Sequence, residues 1–343
     1  MTQREKSPTM KDVAREAGVA LGTVSKVFNG IPVGKSYRER VEAAADRLGY
    51  RVNNYARGLR ASKTNCVALI LPSTDHMFFA LLADYICDAL TKRDHRMMLA
   101  ITRDDPQAEA RCIQMVRQNK VDGIIGLTYS ADLEVRDDMP YVSIDRFISP
   151  GIPCVSSDNF SGGSMAAERL YQLGCRQLLF LRTGSHVSGE ADKRGAGFIT
   201  WCQQNQVDFE AMRFDDRDGL EPVNRYLAEH FGQGRVDFDG IFCSTDLLAY
   251  RVRKTLASLG VRVPEDVQII GFDGIRSFNS EGELFCSTIV QPVKQMAETA
   301  VNVLLSEDHS NAPALICLPV RYAAGGTTRE PCIEGEQSWQ VNT

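Results

Sequence analysis

The chain has 343 residues, 43% of them hydrophobic, which is enough apolar mass for two or more packed domains. No stretch approaches the ~20 apolar residues a membrane helix needs, and the charged start 1–12 holds no apolar run resembling a signal peptide, so a cytoplasmic location without membrane contact is expected. Of the net charge of −5, residues 1–64 contribute +7 (thirteen Lys/Arg, six Asp/Glu) and the remainder −12 (26 and 38); a basic head on an acidic body points to a polyanion partner for the head, although a solvated charged face gives the same count.

Thr9 is placed to cap a helix whose apolar positions Val13, Ala14 and Ala17 share one face, and Gly18 can end it at positive φ. After the turn Gly18-Val19-Ala20, a second helix over 21–29 turns Val24, Val27 and Phe28 inward. It leaves Gly22, Ser25, Lys26 and Asn29 outward, a polar face suited to the major groove. A third helix over 37–48 sets Tyr37, Val41, Ala44, Ala45 and Leu48 on one side. Three short amphipathic helices can share one small core, as a helix-turn-helix or as a three-helix protein-interaction module.

From Cys66 onward, apolar runs at 67–71, 97–101, 123–127, 141–144, 178–181, 240–243 and 267–272 alternate with helical stretches at 79–92, 107–118, 161–173, 194–204, 220–230 and 246–259. Such alternation predicts parallel sheets covered by helices, in number enough for two lobes. Ligands bind beyond the C-terminal ends of such strands. The residues there are Ser73-Thr74-Asp75-His76, Thr102-Arg103-Asp104, Asp145-Arg146, Ser244-Thr245-Asp246 and Asp273. Carboxylates that accept paired hydroxyl hydrogen bonds, beside rings that cover an apolar face, suit a sugar site; polar surface loops of no binding role fit the same residues. The ten cysteines are scattered singly, and Cys87, Cys202 and Cys243 sit in apolar patterns typical of buried thiols, so reduced cysteines are expected. There is no CxxC pair and no Cys/His cluster, and neither a metal nor a cofactor is expected.

The run Thr9-Met10-Lys11-Asp12-Val13-Ala14-Arg15-Glu16-Ala17-Gly18-Val19-Ala20-Leu21-Gly22-Thr23-Val24-Ser25-Lys26-Val27-Phe28-Asn29-Gly30 resembles, almost position by position, the headpiece of the lactose-repressor-like (LacI/GalR) family of bacterial transcription regulators. The resemblance implies that Leu21, Gly22 and Lys26 face base edges and that Thr9, Thr23, Ser25 and Asn29 contact phosphates or neighbouring bases. Ala20, Asn53 and Arg57 join that DNA-binding set. Gly22 departs from a reading residue, having no side chain to read with, and Val33-Gly34-Lys35-Ser36-Tyr37 replaces the usual cap, with Tyr37 taking over a phosphate contact. The stretch 48–60 is similar to the family's hinge, in which a leucine, here Leu59, wedges into the minor groove; a plain linker is the other reading.

The body resembles the same family through Val142-Ser143-Ile144-Asp145-Arg146, Ser157-Asp158-Asn159-Phe160-Ser161-Gly162-Gly163, Arg194-Gly195-Ala196-Gly197-Phe198 and the run from Pro264 to Asp273. This implies an effector site formed by Phe78, Phe79, Asp145, Arg194, Thr245, Asp246 and Asp273. Thr245 stands where asparagine is commoner, Arg217 lies near a position that often stacks a ring on the ligand, and a charged ligand such as an acid sugar fits these departures. Asp158, Asn159, Gly162 and Gly163 are assigned to helix capping and tight packing.

The expected architecture is α/β. A three-helix helix-turn-helix headpiece (8–53) and a hinge (54–64) precede a two-lobed, periplasmic-binding-protein-like domain (65–329). Its first lobe takes 65–161 and 292–322, its second 162–291, and a tail (330–343) without coiled-coil heptads follows. The expected function is a regulator, in the family's habit a repressor, that binds double-stranded pseudo-palindromic operator DNA as a homodimer under control of a small polar effector, a sugar or sugar derivative. A periplasmic-type sugar-binding protein without a DNA role is the alternative. No GxSxG elbow, Walker loop, HExxH or strand-linked GxGxxG supports an enzyme.

Overall fold

The computed structural model describes residues 8–28, 30–50, 64–103, 105–118, 121–128, 140–184, 189–276, 284–307 and 312–329. The chain divides into two compact units between Thr64 and Asn65. In the first, α1 (Met10–Ala17) starts at a capping box: the Asp12 amide donates to Thr9 Oγ1, and the Thr9 amide and hydroxyl both donate to Asp12 Oδ2 at 3.0 and 2.7 Å. Gly18, at φ 61°, ends it in the left-handed conformation, and Arg40 Nη2 donates to the carbonyls of Ala17 and Gly18 at 2.6 and 3.0 Å. This clamp ties the end of α1 to α3 (Lys35–Leu48). Helix α2 (Leu21–Phe28) completes a core of Val13, Ala14, Ala17, Val24, Val27, Val41, Ala44 and Ala45. Tyr37, expected on the buried side of the third helix, is exposed instead; the core is already closed by Val41 and Ala44 one and two turns on. Residues 51–63, and so nearly all of the expected hinge, lie outside the described residues, as does the tail 330–343.

The second unit holds two six-stranded sheets. Strands β1 (Cys66–Leu71), β2 (Arg96–Ile101), β3 (Gly123–Gly126), β4 (Tyr141–Ile144) and β5 (Cys154–Ser157) belong to the first, with helices α4 (Met77–Thr91) and α5 (Pro106–Gln118) between them. The chain then passes through α6 (Asn159–Gln172), β6 (Gln177–Thr183), α7 (Lys193–Gln204), β7 (Asp208–Phe214), α8 (Glu221–Phe231), β8 (Gly240–Cys243), α9 (Asp246–Ser258), β9 (Gln268–Asp273) and β10 (Ser287–Val290). Helix α10 (Val293–Leu305) and β11 (Leu315–Leu318) return to the first lobe, and β12 (Arg321–Ala323) crosses back. The strand orders are β11-β5-β4-β3-β1-β2, all parallel, and β12-β10-β9-β8-β6-β7, parallel except for β12 against β10.

Helices cover both faces of each sheet, so the central strands β1, β4 and β9 are buried along their whole length; β1 appears in the sequence as a continuous apolar run, and β4 and β9 as mostly apolar ones, interrupted by Ser143 and flanked by Gln268 and Asp273. Leu82 and Ile86 of α4 and Met296 and Val301 of α10 pack on one face of the first sheet, and Ile113 and Val116 of α5 on the other. In the second lobe Leu227 and Val252 fill one side and Leu170 and Phe198 the other.

Three passages join the lobes, and the lobe boundaries shift accordingly. The second lobe begins at α6, where the Asp158 carboxylate caps the helix by accepting from the Ser161 amide, rather than at 162. The first lobe's returning segment ends at β11, not at 322: β12 pairs with β10, and beyond it Thr327 Oγ1 accepts from the Ser287 amide and donates to the Ile269 carbonyl. Cys87, expected buried, is exposed, whereas Cys202 and Cys243 are buried thiols.

Candidate functional site

A cavity of about 280 Å³ opens between the two sheets of the second unit, lined from both lobes. Its walls come from the C-terminal ends of β1, β3 and β4 on one side and of β6, β8 and β9 on the other. In each sheet the strand next to the switch in chain direction, β1 and β6, contributes, which is the position the topology of open parallel sheets assigns to ligands.

Asp145 and Asp273 each end a strand at positive φ, 51° and 129°, a costly conformation for a residue with a side chain. Asp145 Oδ1 accepts from Ser156 Oγ at 2.8 Å. Burial pushes the Asp145 carboxyl up, against the pull of Arg194 and the Ser156 hydroxyl. Asp273 is 5% exposed; its Oδ1 accepts from Gln291 Nε2 at 2.7 Å and lies 3.7 Å from Arg194 Nη1. Its Oδ2 is buried and accepts no hydrogen bond among the described residues, with His76 Nε2, from the opposite lobe, at 3.8 Å. Burial raises the Asp273 carboxyl too, and the Arg194 guanidinium and Gln291 amide oppose it.

Arg194, in the first turn of α7, is fixed on three sides. Nε donates to Asn159 Oδ1 at 2.7 Å, Nη1 donates to the Ser244 carbonyl at 2.6 Å, and the guanidinium lies 3.7 Å from the centre of the Phe272 ring. Asn159 and Gly163 therefore act at one remove, positioning Arg194 without lining the cavity. A Cβ at Gly163 would run into the Arg194 carbonyl oxygen, and one at Gly197 into that of Phe160, so only glycine allows α6 and α7 to approach this closely.

Phe78 and Phe79 begin α4, capped by His76, whose Nδ1 accepts from the Phe78 amide at 3.3 Å. Phe78 is buried and Phe79 half-buried, with ring centres 5.8 Å apart, and together they form an apolar wall of the cavity. Thr245 lines the cavity while its Oγ1 caps α9 by accepting from the Leu248 amide at 3.2 Å.

Asp246 does not belong to the site. It is fully buried: Oδ2 accepts from the Ile275 amide at 2.7 Å, and Oδ1 from the Thr288 hydroxyl at 2.6 Å and the Cys286 thiol at 3.4 Å. In the first turn of α9 its side chain leans back towards β9 and β10, and so ties helix to sheet behind the cavity. Arg217 does not reach the cavity either; its side chain is exposed and paired with Asp215 at 2.6 Å. Thr102 and Arg103 follow β2, the edge strand, which carries them away from the crevice. The cavity also takes in Arg182, Arg251 and Gln291. Arg251 follows Leu247 and Leu248 at helical spacing on α9, a signal available in the sequence, whereas Gln291 follows a strand too short and polar to be read.

In the first unit, Ala20, Leu21, Gly22 and Lys26 are exposed, and Thr23 and Ser25 half-buried, along α2. A Cβ at Gly22 would meet no atom, so this stretch of the helix is open. The Thr9 hydroxyl hydrogen is committed to Asp12, which leaves its oxygen, not its proton, to any outside partner. Asn29, Asn53, Arg57 and Leu59 lie outside the described residues.

Residues 9–53 match the family model for bacterial regulatory proteins of the lacI family, and 167–328 that for a periplasmic binding protein-like domain. The chain is 32% identical to the sucrose operon repressor of Streptococcus mutans, over 92% of this chain and 98% of that one. It is 33% identical to the ribose operon repressor of Bacillus subtilis, over 94% and 99%. Its fold resembles that of the Lac repressor dimer bound to operator and an anti-inducer, with a TM-score of 0.78, 22% identity, and coverage of 94% of this chain and 99% of that one. Regulatory relatives aligned from end to end set aside the alternative of a sugar-binding protein without a DNA role.

Proposed function

Because the chain belongs to the lacI family of bacterial regulatory proteins, and so is a DNA-binding transcriptional regulator and not an enzyme, we propose that it represses an operon from a pseudo-palindromic operator, as a cytoplasmic homodimer, under control of a sugar or sugar derivative bound between its lobes. The observation that carries the effector reading is the buried pair Arg194 and Asp273, with one carboxylate oxygen that accepts no hydrogen bond among the described residues, beside a cavity walled by Phe78 and Phe79. Such a pair can exchange hydrogen bonds with vicinal hydroxyls while the rings cover an apolar sugar face. Relatives that are sucrose and ribose operon repressors support the same ligand class. No helix among the described residues is long and apolar enough to cross a membrane.

The proposed DNA face is α2, with Leu21, Gly22 and Lys26 towards base edges, flanked by Thr9, Ala20, Thr23, Ser25, Asn29 and Tyr37, and by Asn53, Arg57 and Leu59 of the expected hinge region. Lysine donates to guanine without the planar fork of arginine, which loosens discrimination at that position. A ligand that favours one arrangement of the lobes shifts operator affinity by its differential affinity for the two arrangements. The test is selection from a random duplex library at near-physiological salt, with and without a sugar mixture. An enriched inverted repeat whose retention changes with sugar is expected; no enrichment under either condition from folded protein would overturn the operator reading.

A further inference from the structure

The charges around the cavity do not balance. Four arginines line it, Arg146, Arg182, Arg194 and Arg251, against two carboxylates, Asp145 and Asp273. Two of the arginines have acidic partners: Arg194 lies beside Asp273, and Arg182 is 2.6 Å from Asp192. Arg146 and Arg251 make no ion pair among the described residues. Arg146 follows Asp145 at the end of β4 and is 9% exposed, and among the described residues its side chain makes a single hydrogen bond, from Nη1 to the Thr128 carbonyl at 3.1 Å. A guanidinium has five N–H donors, and one with a single neutral acceptor keeps most of them for an anion. Arg251 stands on α9 at the cavity wall of the other lobe, exposed and without an ion pair among the described residues. Among the described residues neither carboxylate of the cavity pairs with them: Asp145 accepts from Ser156, and Asp273 accepts from Gln291 and lies beside Arg194.

We propose that the effector is an acidic sugar, a polyol bearing one carboxylate or phosphate, whose anionic group is held by Arg146 of the first lobe and Arg251 of the second. This rests on the reading of the cavity as an effector site and adds its charge. Arginine presents paired donors that match the oxygens of either group. An anion gripped from both lobes also binds their closed arrangement more tightly than the open one, which supplies the differential affinity that control of DNA binding needs.

Calorimetric titration of the full chain with matched probes tests this. D-glucose, D-galactose and D-ribose form the neutral series, and D-gluconate, D-galacturonate and D-ribose 5-phosphate the acidic one, so that the carboxylate and phosphate arms separate the two sources of charge. The expected result is an acid that binds roughly tenfold or more tightly than its neutral counterpart, with that ratio reduced by about tenfold in Arg251→Gln. Arg146→Lys, which keeps the charge but loses the fork, is expected to reduce it less than Arg146→Gln. A neutral sugar that binds with no acidic preference overturns this inference and leaves the sugar-site reading standing. Binding by neither series overturns both, and a preference untouched by Arg251→Gln and Arg146→Gln overturns the assignment of these arginines.

Discussion

Asp246 and Asp273 are both buried acids at the ends of second-lobe strands, yet their partners give them different work. The bonds of Asp246 run to the Ile275 amide and the Thr288 hydroxyl within the fold, whereas one oxygen of Asp273 accepts no hydrogen bond from the described residues at the cavity. Asp246→Ala is therefore expected to cost about 2–3 kcal/mol, by orphaning a buried amide and hydroxyl, and to appear as a lowered urea midpoint. Asp273→Ala should instead remove the response of DNA binding to ligand with operator affinity retained; a variant that still responds would take Asp273 out of the site. The pH dependence follows from the same burial. It pushes both carboxyls above the ordinary value of 3.8, with the nearby Asp273 charge raising Asp246 further and Arg194 opposing the rise at Asp273. A carboxyl raised in the folded state contributes stability that is complete below its unfolded value and lost as pH climbs through its folded one. The urea midpoint is thus expected to be higher at pH 5 than at pH 8, with a smaller difference in Asp273→Asn. An unchanged difference in that variant would mean that Asp273 titrates in its ordinary range.

Among the elements, α6 and α7 carry the site without entering it. Their crossing is closed by Gly163 and Gly197, and it delivers both Arg194 and the Asn159 that fixes it. A methyl at Gly163 meets the carbonyl of Arg194 itself, so Gly163→Ala is expected to displace the first turn of α7 and destabilise the lobe by about 1–3 kcal/mol. Ligand affinity should fall with it, although residue 163 touches no ligand; full affinity in a destabilised protein would show that Arg194 is placed by its own contacts and not by the helix crossing. This is also the scale at which legibility of the sequence varies. The headpiece helices, with Thr9 as start and Gly18 as stop of the first, and the apolar strand β1 and mostly apolar β4 and β9 declare themselves because a buried face leaves a period or a run. Strands β5, β7, β10, β11 and β12 do not: Cys154–Ser157 and Ser287–Val290 are half polar, their hydroxyls being satisfied inside the fold by Asp145, Gln291 and Asp246. The role of Asp246 is hidden from the sequence for a related reason. Sequence locates a carboxylate at a strand end, but its direction depends on which neighbours, here Ile275 and Thr288, arrive from distant parts of the chain.

At the scale of the whole molecule, the three passages between lobes bear on the effector's action. Ser157, at the end of β5, donates to Gln291 Oε1 at 2.7 Å, and Gln291, between β10 and α10, donates to Asp273 Oδ1 at the same distance. Two passages are thus bonded to each other and to the acid at the cavity, so a ligand that reorients Asp273 acts on the segments about which the lobes must move. None of this connectivity can be read from spacing, because it joins residues 134 and 18 positions apart. If the cavity governs DNA binding, the two sites share one equilibrium, and the coupling must be reciprocal. The effector's affinity for free and for operator-bound protein should then differ by the same factor by which the effector changes operator affinity. That factor is expected at roughly 5–150-fold, the usual span of such couplings. Calorimetric titration of the ligand into both forms measures it, and the sign of the difference tells inducer from co-repressor. Equal affinities on and off the operator would mean that the cavity binds a ligand without controlling transcription, and the regulatory reading of the second unit would have to be given up.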